Sequence, residues 1–585
     1  MIEATFLSQG ATDRLFCAAT GHVPVRLAQL TKPRLLWLNR RAMRHDPQFD
    51  AAGSESAYER HLLRNCALTL TADASAQVAG GTEVMAVADR YGGTGIGRNG
   101  GSGRAVFVNG YHVKGIGRTP LVSVLTDRAH ASGGAYLEEC VREAVFSELV
   151  NAEFPFGAVP VLAIIETGVI QVWDTDDGPK PERQCLLVRP AFIRPAHFTR
   201  ATEYISANQK EGALDANRVA LTSRAAVDLF GVEDFSLSWG RFWLRWAEQL
   251  AYAYAHRLTH GGNTESNIAL DGRLLDFGAM TALPSWARVS TMQGGPPAGM
   301  DMLFVAQAMQ AVAPFLGRHI DEALASPEVL GANMSRANDR YRQVLLREVL
   351  RLSGLTRLQS ERLLQSALAA RAVAAINRLV THFAREQFAI FDGMPEPRIS
   401  WDLGQFWRGP APRHLHELRD LLTDAITGGL LGDEPAGLIN QAVAARCALR
   451  SSTREGLFRD RLKDDLYAEL DGRYEGDRLT ATHVSRVIDD CVVRNRQSSL
   501  TEPDAALPIG FAGQAEAAYA LFSCQKSGLP FAVPEWPTCG TGKAGPTRLP
   551  IARLHDGLIE FAGDDIAPAR ARVQRLDGWP EQQAA

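Results

Sequence analysis

The sequence predicts an α+β protein of two unlike lobes, a β-rich N-terminal lobe and a helical C-terminal lobe, with an additional, mainly helical region behind them. Three observations carry that expectation. Between Thr82 and Trp173 short β-rich segments and glycine clusters surround a single helix. After Ser238 the apolar residues switch to helical spacing, over 239–256, 302–315, 341–352 and 360–383. The chain, at 585 residues, exceeds one ordinary hydrophobic core, so two or three packed units are expected. The expected divisions are an N-terminal extension packing on the core (1–80), the β-rich lobe (81–200), the helical lobe (201–400) and a C-terminal region (401–585). The stretch 388–412, rich in Pro, Gly and Trp, marks a boundary before a further helical segment over 436–490, and the tail from Thr501 has no clear period.

Composition narrows the function classes. The net charge is −4, with 46% apolar and 22% charged residues, an ordinary globular balance. No block of five or six like charges occurs, which argues against a nucleic-acid stripe or a polybasic membrane patch. The eight cysteines are scattered and never form C-x-x-C, so they read as reduced thiols rather than as a zinc or dithiol site. The N-terminal MIEATFLSQG lacks a basic and an apolar leader region, and the most apolar run, 157–173, is interrupted by Glu166, Thr167 and Gly168. A cytoplasmic protein with neither a nucleic-acid nor a membrane partner is expected.

Within the β-rich lobe, YGGTGIGRNGGSGR (91–104) contains G-x-G-x-x-G at Gly95, Gly97 and Gly100. A dinucleotide fingerprint needs a helix directly after the glycines. Instead AVFVNGYHVKG follows, with β-rich segments flanking Asn109-Gly110, the dipeptide of a tight hairpin. Glycines before a hairpin whose second strand carries Lys114 match the layout of a phosphate-binding loop and its strand lysine, because glycine lets backbone N–H groups approach phosphate oxygens closely. Downstream, Leu137, Val141, Val145 and Leu149 recur every four residues and define a helix. It carries Glu139, Glu143 and Glu148, and Glu143 is the glutamate expected to pair with Lys114.

The segment HRLTHGGNTESNIALDGRLLDFG (256–278) follows an amphipathic helix and holds His260, Asn267 and the triplet Asp276-Phe277-Gly278. An asparagine and an aspartate nine residues apart supply hard oxygen donors suited to magnesium bridging nucleotide phosphates. The triplet alone is weak. In order with the glycine-rich loop, the strand lysine and the helix glutamate, it predicts a bilobal protein-kinase-like fold.

On these residues the chain resembles the SelO family, kinase-like proteins that bind ATP in a flipped orientation and transfer AMP to protein hydroxyls. The resemblance begins near PRLLWLNRRAM and runs through G-S-G-R at 101–104, K-G-x-G-x-T-P at 114–120 and R-E-x-x-x-S-E at 142–148, and VRPAFIRPAHF is similar to the family's arginine-flanked segment. It covers roughly residues 20–310, and weakly continues to Trp407. It implies that Gly101, Gly103, Arg104 and Lys114 contact ATP, that Glu143 positions Lys114, and that Arg189 and Arg194 hold phosphate. Asn267 and Asp276 would bind magnesium or manganese. The implied activity is that of a protein adenylyltransferase acting on a protein or peptide acceptor.

The departures are as informative. The family's catalytic aspartate aligns with Ser266, whose hydroxyl is not a base at neutral pH, and Glu265 is the nearest carboxylate. The family's G-D-G-R aligns with Ala131-Ser132-Gly133-Gly134 and loses its aspartate and arginine; Gly133 remains an expected ATP contact. No cysteine pair matches the family's C-terminal redox residues. The competing expectations are phosphate transfer, a catalytically impaired pseudokinase acting as a nucleotide-binding scaffold, and a tailoring protein that activates a peptide carboxyl as its adenylate. TCGTGKAGPT in the tail reads as a turn rather than a phosphate loop, and His414 with His416 reads as no metal site.

Overall fold

The computed structural model describes residues 7–71, 79–93, 98–127, 131–175, 178–206, 209–291, 295–389, 406–407, 413–432, 454–471 and 479–496, with isolated residues between 439 and 447 and short strands between 519 and 572. The chain forms two compact units. One comprises Met1–Val344, Glu386–Pro395 and Arg454–Arg496, the other Leu345–Arg385, Glu396–Thr453 and Gln497–Ala585. These units do not follow the expected divisions: 81–200 and most of 201–400 lie in the first unit, while 345–385 lies in the second.

The first unit is built on a nine-stranded antiparallel sheet. Its strands are β1 (Val23–Leu30), β2 (Arg34–Leu38), β3 (Leu68–Leu70), β4 (Ala79–Ala88), β5 (Ala105–Val108), β6 (Tyr111–Lys114), β7 (Ala135–Tyr136), β8 (Ala163–Thr175) and β9 (Gly178–Pro190). Their order is β2-β8-β9-β6-β5-β4-β1-β3, with β7 also on β9. Residues 1–80 are thus not an extension packed on a core: β1, β2 and β3 are strands of the sheet itself. Leu27, Leu62, Cys66, Val106, Val113, Leu162 and Val188 share one buried cluster on it.

The β5–β6 hairpin forms as its sequence requires. Asn109 and Gly110 take φ of 52° and 84°, the left-handed pair that a two-residue turn needs, and Ala105 lies opposite Lys114. This register sets the lysine at the open end of the hairpin, directly before the turn of Gly115 and Gly117.

The longer helices are α1 (Glu55–Cys66), α2 (Leu137–Glu153), α3 (Gln209–Phe230), α4 (Val232–Ala255), α5 (Met302–His319), α6 (Pro327–Leu352), α7 (Arg357–Gln365), α8 (Ala369–Phe383), α9 (His416–Thr427), α10 (Arg459–Asp471) and α11 (Ala481–Asn495). The sequence expectation of one helix over 360–383 is corrected. The Ser366 hydroxyl accepts the Leu368 N–H and donates to the Leu363 carbonyl, which ends α7 before α8 begins at an angle of 113°. The expected helical segment 436–490 is represented by α10 and α11. These return to the first unit and pack on α2, which is why that helix is buried on nearly every side rather than on the one apolar face its period shows. In the second unit α8 packs on α9, with Arg371 2.9 Å from Asp424. Short strands β10 to β13 cover 258–259, 281–282, 288–290 and 387–389, and among the described residues of the tail left open by the sequence are β14 (Tyr519–Ser523), β15 (Pro530–Pro534), β16 (Ile551–His555), β17 (Leu558–Phe561) and β18 (Arg570–Arg572). Among the described residues no single helix is long and apolar enough to cross a membrane.

Candidate active site

The site grows from the β5–β6 hairpin. Lys114 ends β6, 7% exposed, and its ammonium reaches a carboxylate from each of two other parts of the chain. It donates to Glu143 of α2 at 2.9 Å and to Asp276 at 3.3 Å, with Glu139, one turn before Glu143, at 3.0 Å. The sequence pairing of Lys114 with Glu143 is present in this geometry. Glu143 is fully buried, and its other oxygen accepts from Arg189 of β9. Burial would push the Glu143 carboxyl up, but Lys114 and Arg189 outweigh it and hold the group below its ordinary value. For Asp276 burial likewise acts upward, and the Lys114 ammonium prevails, leaving a firmly ionised carboxylate. The same three carboxylates keep Lys114 protonated well above its usual range against the opposing effect of burial.

The glycine motifs explain how this strand end is held. The Gly115 N–H donates to the Arg104 carbonyl at 2.7 Å, the Thr119 N–H to the Gly103 carbonyl at 2.9 Å, and the Thr119 hydroxyl to the Ser102 carbonyl at 2.9 Å. K-G-x-G-x-T-P therefore folds back on G-S-G-R, and the two motifs are one unit. Gly101, at φ 146°, and Gly133, at φ 78°, leave no room for a side chain: a Cβ would lie 2.3 Å from the Asp89 carbonyl oxygen and 2.1 Å from the Arg118 nitrogen, respectively. Of the formal G-x-G-x-x-G, Gly95 and Gly97 lie outside the described residues.

The polar loop behind α4 is shaped by its own backbone. Leu258–Thr259 pairs with Thr281–Ala282, the Leu275 N–H donates to the Asn267 carbonyl at 3.1 Å, and His260 Nε2 bonds the Leu275 carbonyl at 2.8 Å. Asn267 and Asp276 are thereby brought to the two sides of one narrow hairpin. Asp276 adopts a left-handed φ of 61°, strained for a non-glycine residue, and its side chain remains 47% exposed beside Lys114. Phe277 is fully buried between Phe146 of α2, at 6.4 Å, and His260, at 5.5 Å. Arg142 of α2 also donates to the Gly278 carbonyl. The helix that carries Glu143 and the loop that carries Asp276 are consequently packed as one body.

The remaining expected contacts are distributed unevenly. Arg104 is bidentate on Glu139 at 2.6 and 3.0 Å and donates to the Gly134 carbonyl at 2.8 Å. Arg189 faces Glu143. Arg194 belongs to a neighbouring buried cluster: it donates to Asp89, which also takes His112 at 3.0 Å and His197 at 3.1 Å. Its second branch donates to the Ser266 carbonyl at 2.7 Å, and its guanidinium lies 4.2 Å from the Tyr91 ring centre. Arg194 thus ties the polar loop to the end of β4, a connection the sequence did not reveal.

Ser266, where the resemblance would place a catalytic aspartate, shares a hydrogen bond with Thr264 at 2.8 Å and donates to Asn267 Oδ1 at 3.4 Å. Glu265 is buried, its carboxylate against Gly93 at the entrance of the glycine-rich segment. A further buried acid, Asp301 at the start of α5, accepts from the Asn263 side chain at 3.0 Å and from the Gly299 N–H at 2.9 Å, and burial pushes its carboxyl up to about 6. It anchors the polar loop from below. Sequence reasoning missed Asp89, Arg142 and Asp301, and passed over Glu139. Only Arg142 belongs to a motif, R-E-x-x-x-S-E, and that motif gave it no role; long-range pairing marks the others.

Asp276 and Asn267 offer hard oxygen donors, the set magnesium takes when phosphate oxygens and water complete its shell. Among the described residues no group of three or more His, Cys, Asp or Glu is arranged to hold a metal by itself, and His414 instead stacks on His382 at 4.3 Å. None of the six described cysteines forms a disulfide. No known protein-family model matches this chain, and no curated protein matches it.

Proposed function

We propose that this protein is an ATP- and magnesium-dependent nucleotidyltransferase with a kinase-like bilobal core, resembling the SelO family, that moves AMP from ATP to a hydroxyl of a protein or peptide. The observation that carries the reading is the convergence on Lys114 of Glu143, 29 residues away, and Asp276, 162 residues away. A buried lysine clamped by a helix carboxylate and faced by a half-exposed loop carboxylate suits the phosphates of a nucleotide better than it suits a structural ion pair, which needs one partner.

In this reading Lys114 binds a phosphate oxygen and Glu143, backed by Arg189, fixes the ammonium in place. Asn267 and Asp276 would hold magnesium or manganese, which would neutralise phosphate charge. The acceptor oxygen attacks the α-phosphorus, the bond to the leaving pyrophosphate breaks, and the hydroxyl proton passes to a base. Glu265 is the nearest carboxylate in the loop for that role. Ser266 orients Asn267 and takes no proton at neutral pH. Positioning and electrostatics supply most of the acceleration in phosphoryl chemistry, so the absent aspartate lowers the rate without abolishing transfer.

A second reading, a nucleotide-binding pseudoenzyme, is favoured by one observation: the base position is Ser266, hydrogen-bonded to Thr264 and Asn267 rather than open. Parallel incubation with α-labelled and γ-labelled ATP, with magnesium or manganese, separates the readings. Covalent α-label in the wild type, lost in Asp276→Ala, supports AMP transfer. γ-Label alone makes the protein a kinase, and ATP binding with neither label favours the pseudoenzyme.

A further inference from the structure

Glu139 stands out among the groups around Lys114 because no other element requires it there. Glu143 has its own second cation in Arg189, and Asp276 opens toward solvent, whereas Glu139 engages the two cations expected to meet nucleotide, Arg104 and Lys114. The guanidinium fork of Arg104 holds both Glu139 oxygens at 2.6 and 3.0 Å, the bidentate arrangement it would offer a phosphate. The pair lies at the edge of the site, with Arg104 27% and Glu139 16% exposed, so an incoming anion can reach it.

Charge makes the same point. Lys114, Arg104 and Arg189 are balanced by Glu139, Glu143 and Asp276, so the cluster is neutral as it stands and exerts no net attraction on a polyphosphate. Without Glu139 it would carry a positive charge. Glu139 also lies in the first turn of α2, where the helix dipole favours a carboxylate. Burial acts against its ionised form, but Arg104 and Lys114 hold its carboxyl down to about 2, so the competitor stays charged at every physiological pH.

Resting on the nucleotide reading above, we propose that Glu139 is a built-in stand-in for phosphate, a carboxylate that occupies Arg104 and Lys114 until the polyphosphate of a nucleotide displaces it. The device raises the nucleotide concentration needed for occupancy and keeps the two cations oriented in the meantime. It makes the unusual prediction that removing a partly buried, ion-paired residue from the site strengthens ligand binding.

The test is calorimetric titration of the full chain with ATP, inorganic tripolyphosphate and adenosine, for the wild type, Glu139→Gln and Glu139→Asp, with magnesium present. One charge-assisted hydrogen bond released to the ligand corresponds to about tenfold tighter binding of ATP and of tripolyphosphate by Glu139→Gln, with adenosine unchanged. Glu139→Asp, which keeps the charge on a shorter arm, falls between the two and serves if the glutamine variant folds poorly. In an Arg104→Met background the gain from Glu139→Gln shrinks. If the wild type binds ATP and Glu139→Gln binds it equally or more weakly, Glu139 merely positions Arg104 and the inference is overturned while the nucleotide reading stands. If neither protein binds ATP, the nucleotide reading itself fails, and the inference with it.

Discussion

Replacing Glu143 by leucine tests whether the centre of the site is as desolvated as its geometry says. Glu143 is fully buried and sits between Lys114, at 2.9 Å, and Arg189, itself 2% exposed. Removing one partner of a buried ion pair typically costs roughly 3–5 kcal/mol, because the other charge is left uncompensated. Lys114 retains Glu139 at 3.0 Å and Asp276 at 3.3 Å, so the loss falls mainly on Arg189. We therefore expect about 3 kcal/mol for Glu143→Leu, rather than the sum over both cations. The double variant Glu143→Leu with Arg189→Met should recover at least half of it. Urea unfolding reads this as a fall in midpoint at unchanged slope. The sign with pH follows from the lowered carboxyl. Its stabilising contribution is present above the unfolded value of 4.5 and is lost as pH falls toward the depressed folded value, so wild type and Glu143→Gln converge in acid. A loss below about 1 kcal/mol for Glu143→Leu, the range of an exposed pair, would refute the reasoning.

Other sites give sharper local tests. Phe277→Ala, which empties a fully buried ring position between α2 and the polar loop, should cost about 3–5 kcal/mol in thermal or urea unfolding; an unchanged midpoint would mean the two elements are not packed together. Asp301 has a folded carboxyl raised to about 6 against 3.8, so the folded state binds more protons between those values and stability declines as pH rises through that window. Asp301→Asn should flatten that segment of the stability profile, and a wild-type profile that instead climbs there would contradict the assignment. Gly110 and Gly133 both take left-handed angles, yet a Cβ on Gly110 would meet nothing nearer than 3.7 Å while one on Gly133 meets backbone at 2.1 Å. Gly110→Ala should cost about 1 kcal/mol and Gly133→Ala clearly more; equal melting shifts would show that the turn around Gly133 can relax.

Much of this arrangement is written in local pattern. Asn109-Gly110 specifies the hairpin and with it the location of Lys114, and the four-residue spacing of Leu137, Val141, Val145 and Leu149 specifies α2. The spacing of Asn267 and Asp276 places both on one loop. What local pattern does not contain is partnership across the fold. Five glutamates occur on α2, and no period tells that Glu139 and Glu143 face Lys114 while Glu148 bonds Asn39. Arg194 matches a phosphate-binding position by resemblance, yet its nearest carboxylate is Asp89, 105 residues away. The strands of the first 80 residues were hidden for the same reason: β1 pairs with β3 and β4 and β2 pairs with β8, and strand pairing of that range leaves no local signature. The break at Ser366 escaped because serine is tolerated within helices and ends one only when its hydroxyl turns back on the backbone.

The central claim is met most directly by intact-protein and peptide mass spectrometry of a candidate acceptor mixture after incubation with the full chain, ATP and magnesium, beside the same reaction with Asp276→Ala. The account predicts an AMP increment on a serine, threonine or tyrosine hydroxyl, stable to hydroxylamine and absent with the variant. A phosphate increment in its place, an AMP adduct removed by hydroxylamine, or an increment equal in both reactions would contradict it.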